Sequence, residues 1–393
     1  MLLLADNGPA MRFTACLTLT LACAGAQGPP PVVFEERPGV LLANDKVELT
    51  ILTQGGSLAS LVLREDAGKL NPMWNPARMA REAGQKPGGG GALGHFVCVD
   101  GFGPVSPEEQ AAGMPGHGEA HRQPWEIRQF AREGRVQTLT FSARLPLVQE
   151  TFTRTLRLVD GEQVIYVEST LENLLGFDRP VCWAEHATIG SPFLEPGKTV
   201  VDMPAARAKT RAHPARPGKL ARRLASFQDF TWPMAPGVDG RLIDLRAAPE
   251  NPSSIDHTTC LMDPARELAF VTALHLDKRL LLGYVFRREE YPWLQSWENY
   301  PPNLRMARGL EFSSQPFDVP RREAIQLNSL FGAPVYRWLA AKSKIGSRFL
   351  LFYARVPEGV RKIDDVRIEG GQLIIEDRAA GKRITLPASL GLT

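Results

Sequence analysis

Two histidines and one glutamate of this sequence have neighbours that suit acid–base chemistry. His117 lies between two glycines, where the backbone can approach a ligand closely, although an exposed turn would have the same pattern. His186 follows a strand-like run, and an imidazole at a strand end can act as a general acid near neutral pH. Glu311 lies between Leu310 and Phe312, and a carboxylate beside an apolar surface can have a pKa raised towards that of a useful base.

Other residues near these three could hold a ligand. Asp256 precedes His257, although aspartate is also a frequent turn residue. Side chains alternate along a strand, so Glu185 and His186 should point to opposite faces and only one can enter a given cleft. Trp183 could stack on a sugar or fill the core. An aromatic platform beside polar groups is typical of a sugar subsite, and the candidates are Trp125, Trp183, Trp297 and Glu298.

Short strand-like stretches recur along the chain and must position these residues. Residues 46–53 alternate, with Val47, Leu49 and Ile51 on one face. Similar runs lie at 137–143, 152–159, 164–171, 267–273, 280–287, 348–355, 372–376 and 383–386. The 35 glycines and 32 prolines suit strands joined by turns, and no regular alternation of strands and helices is visible. The sequence therefore predicts an all-β, antiparallel fold.

Few segments depart from this pattern. Residues 76–84 and 336–344 are the best candidates for short helices. Residues 85–94, with four consecutive glycines, and 205–223, with seven arginines and lysines, are predicted to be loops. The second segment fits two interpretations, a solvated basic loop or a gate or contact for an acidic sugar.

The beginning of the chain is typical of a targeting segment. Arg12 precedes an apolar run over residues 13–26 that ends in a small-residue cleavage site, Ala24-Gly25-Ala26. We predict that residues 1–26 are a signal peptide, that 27–393 form a single domain, and that the protein is exported to the periplasm or the extracellular space. The run is too short to span a bilayer, and no later stretch would span one.

Charge and cysteine content limit the partners. A net charge of +3 over 393 residues gives no general reason to expect nucleic acid or an anionic membrane. Cleavage after residue 26 would leave Cys98, Cys182 and Cys260, which show no metal-binding spacing. A disulfide with one free thiol is possible, and three buried reduced thiols are the other interpretation.

Four short segments, taken in their order along the chain, resemble motifs of the aldose 1-epimerase (galactose mutarotase-like) superfamily, and the resemblance covers residues 44–319. The resemblance rests on His117-Gly118, on His186, on Asp256-His257, and on Leu310-Glu311 with Gln315, Pro316 and Asp318. It implies an antiparallel β-supersandwich with few short helices and a cleft on one sheet. Two features depart from the family: Glu119 follows Gly118 where a second glycine is expected, and residues 96–104 contain no counterpart of an upstream arginine.

The resemblance also implies a mechanism for interconverting sugar anomers. Glu311 would be the base and His186 the acid, on opposite sides of the sugar, while His117 and Asp256 orient its hydroxyls. This chemistry needs neither metal nor cofactor. The expected partner is a small sugar or an oligosaccharide.

Two alternatives remain open at this stage. The same cleft would serve an exported carbohydrate-binding protein that does not turn over its ligand. A glycoside hydrolase would need a second carboxylate beside Glu311, with Glu298 or Glu185 as the candidate.

Overall fold

A computed structural model describes residues 28–87, 92–211 and 220–392. The predicted signal peptide, the four consecutive glycines and the middle of the basic segment lie outside the described residues. Export and the extent of the domain therefore stay predictions.

Strands make up 51% of the structure and helix 6%, which confirms the predicted all-β class. The helices are α1 (Pro76–Glu82), α2 (Pro107–Ala111) and α3 (Arg321–Leu327), with one 3-10 turn at Ala120–Arg122. The strands are β1 (Pro31–Phe34), β2 (Arg37–Ala43), β3 (Val47–Leu52), β4 (Leu58–Leu63), β5 (His95–Val99), β6 (Glu126–Glu133), β7 (Val136–Leu145), β8 (Glu150–Val159), β9 (Val164–Asn173), β10 (Arg179–Val181), β11 (Trp183–Gly190), β12 (Thr199–Asp202), β13 (Ala205–Thr210), β14 (Asp229–Phe230), β15 (Met234–Pro236), β16 (Leu242–Asp244), β17 (Ser254–Met262), β18 (Leu268–His275), β19 (Leu280–Arg287), β20 (Trp293–Tyr300), β21 (Ala307–Gly309), β22 (Glu311–Ser313), β23 (Ser329–Leu330), β24 (Ala333–Pro334), β25 (Arg337–Leu339), β26 (Lys344–Arg355), β27 (Asp365–Glu369), β28 (Gln372–Asp377) and β29 (Lys382–Pro387).

Two large antiparallel sheets form the body of the structure. The first has twelve strands in the order β1-β2-β3-β4-β5-β11-β21-β20-β17-β13-β14, with β22 paired to both β11 and β20. The second has eight strands in the order β12-β18-β19-β26-β9-β8-β7-β6. Alternate side chains of both sheets, such as Leu49 and Val97 from the first and Phe152 and Phe349 from the second, meet in one apolar core. This arrangement confirms the predicted supersandwich.

A third, smaller sheet covers the other face of the eight-stranded sheet. It consists of β27, β28 and β29 in that order. Its Leu373 and Ile375 belong to the same apolar cluster as Val285 and Phe352 of the eight-stranded sheet. The eight-stranded sheet is therefore buried on both faces here. The twelve-stranded sheet has one face in the common core, and its other, outer face is available for a ligand site.

One predicted helix is wrong, and the other is confirmed. The helix expected at 76–84 is α1, which begins after Asn75, whose side chain accepts a hydrogen bond from the Arg78 N–H. Residues 336–344 instead contain β25, a turn and the start of β26, because Arg337–Leu339 pairs with Arg179–Val181. A long-range strand partner outweighs local helix propensity here.

The basic segment 205–223 is not a loop throughout, so that prediction is corrected. Its first part is β13, which pairs with β17 and β14. Ala208 and Thr210 are fully buried on one face, while Arg207 and Lys209 alternate with them. The alternation gives only a weak hydrophobic signal in the sequence, because the inward-facing residues are small rather than strongly apolar. The charges also differ from those of a solvated loop, since Arg207, Lys209, Arg211 and Arg223 are all in ion pairs.

Two sequence-based expectations concern the described residues as a whole. Cys98, Cys182 and Cys260 are buried and free, in agreement with the interpretation as reduced thiols. Among the described residues, none of the helices has the length and apolarity needed to cross a bilayer.

Candidate functional site

A cavity of about 540 Å³ lies on the outer face of the twelve-stranded sheet, and we call it the cleft. Strands β5, β11, β22, β20 and β17 supply its floor, and the loops around residues 74–77, 102, 116–122 and 318 supply its walls. Its lining residues are Arg37, Trp74, Pro76, Ala77, Ala92, Phe96, Phe102, Gly116, His117, His121, Arg122, His186, His257, Trp297, Glu311 and Asp318.

His186 and Glu311 lie side by side on the cleft floor. Strands β11 and β22 are antiparallel neighbours, and the pairs Ala184↔Ser313 and Thr188↔Gly309 set a register that places His186 opposite Glu311. Nε2 of His186 is 3.4 Å from Oε1 of Glu311. The two groups are therefore adjacent, and the expectation that they flank a sugar from opposite sides is corrected.

The carboxyl group of Glu311 is almost fully buried in the cleft floor. The residue is only 1% exposed, and Oε1 accepts no hydrogen bond from the described residues. Burial raises the pKa of Glu311 well above its usual value, and Asp318 raises it further while Arg211 opposes the shift. Gly309 makes room for this carboxyl, because a Cβ at that position would lie 2.2 Å from Oε1.

The pKa of the His186 imidazole is shifted downwards, in the opposite direction to that of Glu311. Phe96 stacks on it, with ring centroids 4.2 Å apart and planes inclined by 20°, and Nδ1 is 3.0 Å from Oγ1 of Thr188. Burial lowers the pKa of His186 well below its usual value, and His117 lowers it further. Together the two shifts favour a protonated Glu311 beside a neutral His186 over the ion pair.

His117 faces this pair from the wall. Its backbone is in the left-handed region, with φ of 66°, and Gly118 follows with φ of 71° at a point where a Cβ would lie 2.2 Å from the Val99 oxygen. Nδ1 accepts a hydrogen bond of 3.3 Å from the Gly103 N–H, so the neutral ring carries its proton on Nε2. Burial lowers the pKa of His117, which keeps the ring neutral. The centroids of the His117 and His186 rings are 5.1 Å apart.

His257 and Asp318 close the other side of the cleft. Nδ1 of His257 is 3.5 Å from Oδ1 of Asp318, and that carboxylate also pairs with the buried guanidinium of Arg211. Gln295 lies opposite Glu311 in the sheet and accepts a hydrogen bond of 3.3 Å from Arg211. The cleft thus presents imidazoles, the buried carboxyl group of Glu311 and one paired carboxylate, a set that can exchange protons and hold hydroxyl groups.

Several solved structures share this architecture. The Slr1438 protein of Synechocystis sp. PCC 6803 superposes with a TM-score of 0.55 at 14% identity, covering 84% of this chain and 98% of its own. A galactose mutarotase related enzyme from Lactobacillus acidophilus has a TM-score of 0.54 at 12% identity, with coverages of 82% and 100%. A galactose mutarotase-like protein from Clostridium acetobutylicum also has a TM-score of 0.54 at 12% identity, with coverages of 83% and 98%.

The chain has the galactose mutarotase-like fold. The sequence matches no family model, and no curated protein matches it. The likeness is therefore one of fold, and what the cleft does has to be argued from its own residues.

Within this galactose mutarotase-like fold, Asp256 and Glu298 do not line the cleft, and their predicted placement is corrected. Asp256 pairs with Glu298 across β17 and β20, and the next pair along is His257 with Trp297. Because side chains alternate, His257 and Trp297 face the cleft while Asp256 and Glu298 face away from it. Both carboxylates bind the guanidinium of Arg223. The segment supplies His257 to the cleft in place of Asp256.

Of the three tryptophans predicted to bind a sugar, one lines the cleft and two lie in the core. Trp297 lines the cleft, together with Trp74, which stands edge-on to it at 5.8 Å between centroids. Trp125 is buried in the core and donates a hydrogen bond to the Ala120 oxygen, and Trp183 is buried beside Phe152. Neither can stack on a ligand in the cleft. Residue type alone predicts that a tryptophan could bind a sugar, but it does not show on which face of a strand the tryptophan lies.

Glu185 lies behind the cleft floor, as the alternation argument predicted. Its carboxylate is fully buried and binds Arg154, His95 and the indole N–H of Trp183. Burial alone would raise the pKa of Glu185, but Arg154 and His95 hold it at about 2. Since Glu185 and Glu298 both point away from the cleft, neither can be the second carboxylate of the glycoside hydrolase considered from the sequence.

The cleft also contains cations that the sequence did not reveal. Arg37, at the start of β2, and Arg122, at the end of the 3-10 turn, both line it. The family resemblance implies an arginine near residues 96–104, whereas Arg37 lies far upstream. Arg122 follows His121 only a few residues after His117, and that proximity was the one available signal.

Proposed function

We propose that this protein binds a free sugar in the cleft and interconverts its anomers by proton transfer with Glu311 and His186. The observation that carries the proposal is the side-by-side placement of these two groups, 3.4 Å apart and buried. The ring oxygen and the anomeric hydroxyl are bonded to the same carbon. Two adjacent proton-transfer groups can therefore reach both.

The pKa shifts suggest how the exchange starts. Protonated Glu311 donates to the ring oxygen while neutral His186 takes the proton of the anomeric hydroxyl. The ring opens, the bond between C1 and C2 rotates, and ring closure returns both protons to their original holders. The opposite assignment implied by family resemblance is the same exchange begun from the ion pair. Each group is expected to contribute roughly 10²- to 10⁴-fold to the rate.

The remaining residues have positioning roles in this proposal. The protonated Nε2 of His117 and the imidazole of His257 hydrogen-bond to sugar hydroxyls. Trp297 and Trp74 offer aromatic surfaces to the apolar side of the ring. No cofactor takes part in any of these steps.

Polarimetry on freshly dissolved single anomers of common hexoses and pentoses tests the proposal. The wild-type protein should speed the approach to equilibrium for at least one sugar. Glu311→Gln and His186→Asn should remove nearly all of that acceleration, whereas Glu126→Gln, the same change at an exposed position on β6, should not. Sugar binding without acceleration by the wild-type protein would instead establish a binding protein and refute the proposed reaction.

We also propose that the chain is exported, with cleavage near residue 26. Mass spectrometry of protein from the native host should find a mature chain that starts close to Gln27. An intact Met1 or Met11 would refute this proposal.

A further inference from the structure

A line of cations leads away from the cleft along β13. Arg207, Lys209 and Arg211 are two residues apart, so they share one face of the sheet. Arg211 donates its backbone N–H to the oxygen of His257, and its guanidinium pairs with Asp318. Because Asp318 and His257 both line the cleft, the line of cations begins at the cleft wall.

Three phenylalanine rings lie against these cations, and we call Phe317, Phe227 and Phe331 the phenylalanine stripe. Arg211 lies 4.5 Å from the centroid of Phe317, and Lys209 lies 4.8 Å from that of Phe227. Arg207 lies 4.0 Å from the centroid of Phe331. The rings of Phe227 and Phe317 are themselves 6.2 Å apart. Phe317 is buried beside the cleft wall, so the accessible rings of the stripe are Phe227, which is exposed, and Phe331, which is half-buried. The stripe spans roughly 13 Å at the usual rise of a strand.

Two residues of the stripe have unfavourable backbone conformations. Phe227 has φ of 57° and Phe331 has φ of 52°, in the left-handed region that is unfavourable for a bulky residue. Burial does not compensate at Phe227, which is 55% exposed. Backbone strain of this kind clusters at ligand sites. At Phe227 the strain coincides with an exposed ring 6.2 Å from Phe317 beside the cleft wall, and this combination fits a ligand for the ring.

The charges around the stripe indicate what kind of ligand it suits. Asp229 pairs with both Arg207 and Lys209, and Asp318 pairs with Arg211. Three cationic side chains are thus paired with two carboxylates, so the positive and negative charges around the stripe nearly cancel. Aromatic rings beside hydrogen-bond donors and acceptors suit a sugar, which offers an apolar ring face and hydroxyl groups. A polyanion would instead be repelled by the two carboxylates.

We propose that the phenylalanine stripe binds the outer units of a neutral oligosaccharide whose reducing-end unit occupies the cleft. The inference rests on the proposed function, because anomer exchange requires the free anomeric centre to reach His186 and Glu311. The rest of a longer sugar must then leave the cleft, and the exposed ring of Phe227 lies 6.2 Å from that of Phe317, the residue before Asp318 of the cleft wall.

Calorimetric titration with neutral gluco-, galacto-, manno- and xylo-oligosaccharides of one to four units tests this proposal. In at least one series the affinity should rise between the monosaccharide and the trisaccharide. Phe227→Asn should remove about 3- to 10-fold of that affinity while leaving the monosaccharide affinity unchanged. Asparagine tolerates the left-handed backbone, so the variant removes the ring without adding strain. Phe177→Ala removes a similarly exposed ring away from the stripe and should have no effect.

The proposal is overturned if no series gains affinity with length, or if Phe227→Asn weakens monosaccharide and trisaccharide equally. Tighter binding of oligogalacturonate than of every neutral oligosaccharide of the same length would also overturn it. These outcomes are distinct from failure of the proposed reaction, since calorimetry measures binding whether or not anomers exchange.

Discussion

Gly309→Ala should displace the carboxyl group of Glu311 without deleting it. The added Cβ would lie 2.2 Å from Oε1 and 2.7 Å from Cδ of Glu311. Ordinary contact between such atoms needs about 3.5 Å, so the carboxyl has to move by about 1 Å. The obstructing atoms are the end of a side chain rather than backbone, so the pairing of β21 with β11 should survive.

The expected consequence is a loss of rate with little loss of stability. A misplacement of about 1 Å can cost roughly 10²-fold in rate, and we expect anomer exchange to fall by about that factor. Polarimetry measures the rate, and thermal unfolding should show a melting temperature close to that of the wild type. Gly346→Ala is the matched control, because its Cβ would have only an ordinary contact, 3.6 Å from the Ser169 oxygen. A folded Gly309→Ala variant with wild-type exchange would refute the reasoning.

Three further predictions follow from the buried charges. The exchange rate should be bell-shaped in pH. On the acidic side it falls as His186 gains a proton, at a pKa lowered below its ordinary 6.5, and on the basic side it falls as Glu311 releases its proton, at a pKa raised above its ordinary 4.5. Asp256→Asn should lower the free energy of unfolding by about 1–3 kcal/mol in urea titrations and spare sugar affinity, whereas His257→Gln should weaken sugar binding in calorimetry. Glu185→Gln should cost about 3–5 kcal/mol at neutral pH by leaving a buried arginine unpaired. The native pKa of Glu185, about 2, lies below its ordinary 4.5, so its contribution is present above pH 4.5 and the cost of the substitution should shrink as urea titrations move towards pH 2.

Local patterning predicted much of the fold, because strand alternation is visible in short windows. The β3 and β26 segments, for example, were recognised from their apolar residues alone. The helix predicted at 336–344 was wrong, because the structure of this segment depends on a partner strand, Arg179–Val181, that is distant in the chain. The loop prediction was wrong for β13, because the buried face of this strand consists of Ala208 and Thr210, which give little hydrophobic signal.

The cleft was predicted in part, for a related reason. Alternation correctly separated Glu185 from His186, and the same argument applied to Asp256 and His257 would have required knowing which face of β17 is outward. The adjacency of His186 and Glu311 is a matter of register between strands far apart in sequence. No local pattern contains that information.

The most direct test of the central claim is two-dimensional NMR exchange spectroscopy on one equilibrated sugar, with wild-type protein and Glu311→Gln compared in matched samples. Saturation transfer in the same samples reports binding. We predict cross-peaks between the two anomeric protons with the wild type, and their loss with Glu311→Gln while saturation transfer to the sugar persists. Cross-peaks of equal intensity in both samples would contradict the account, because exchange would then proceed without the carboxyl group to which we assign it.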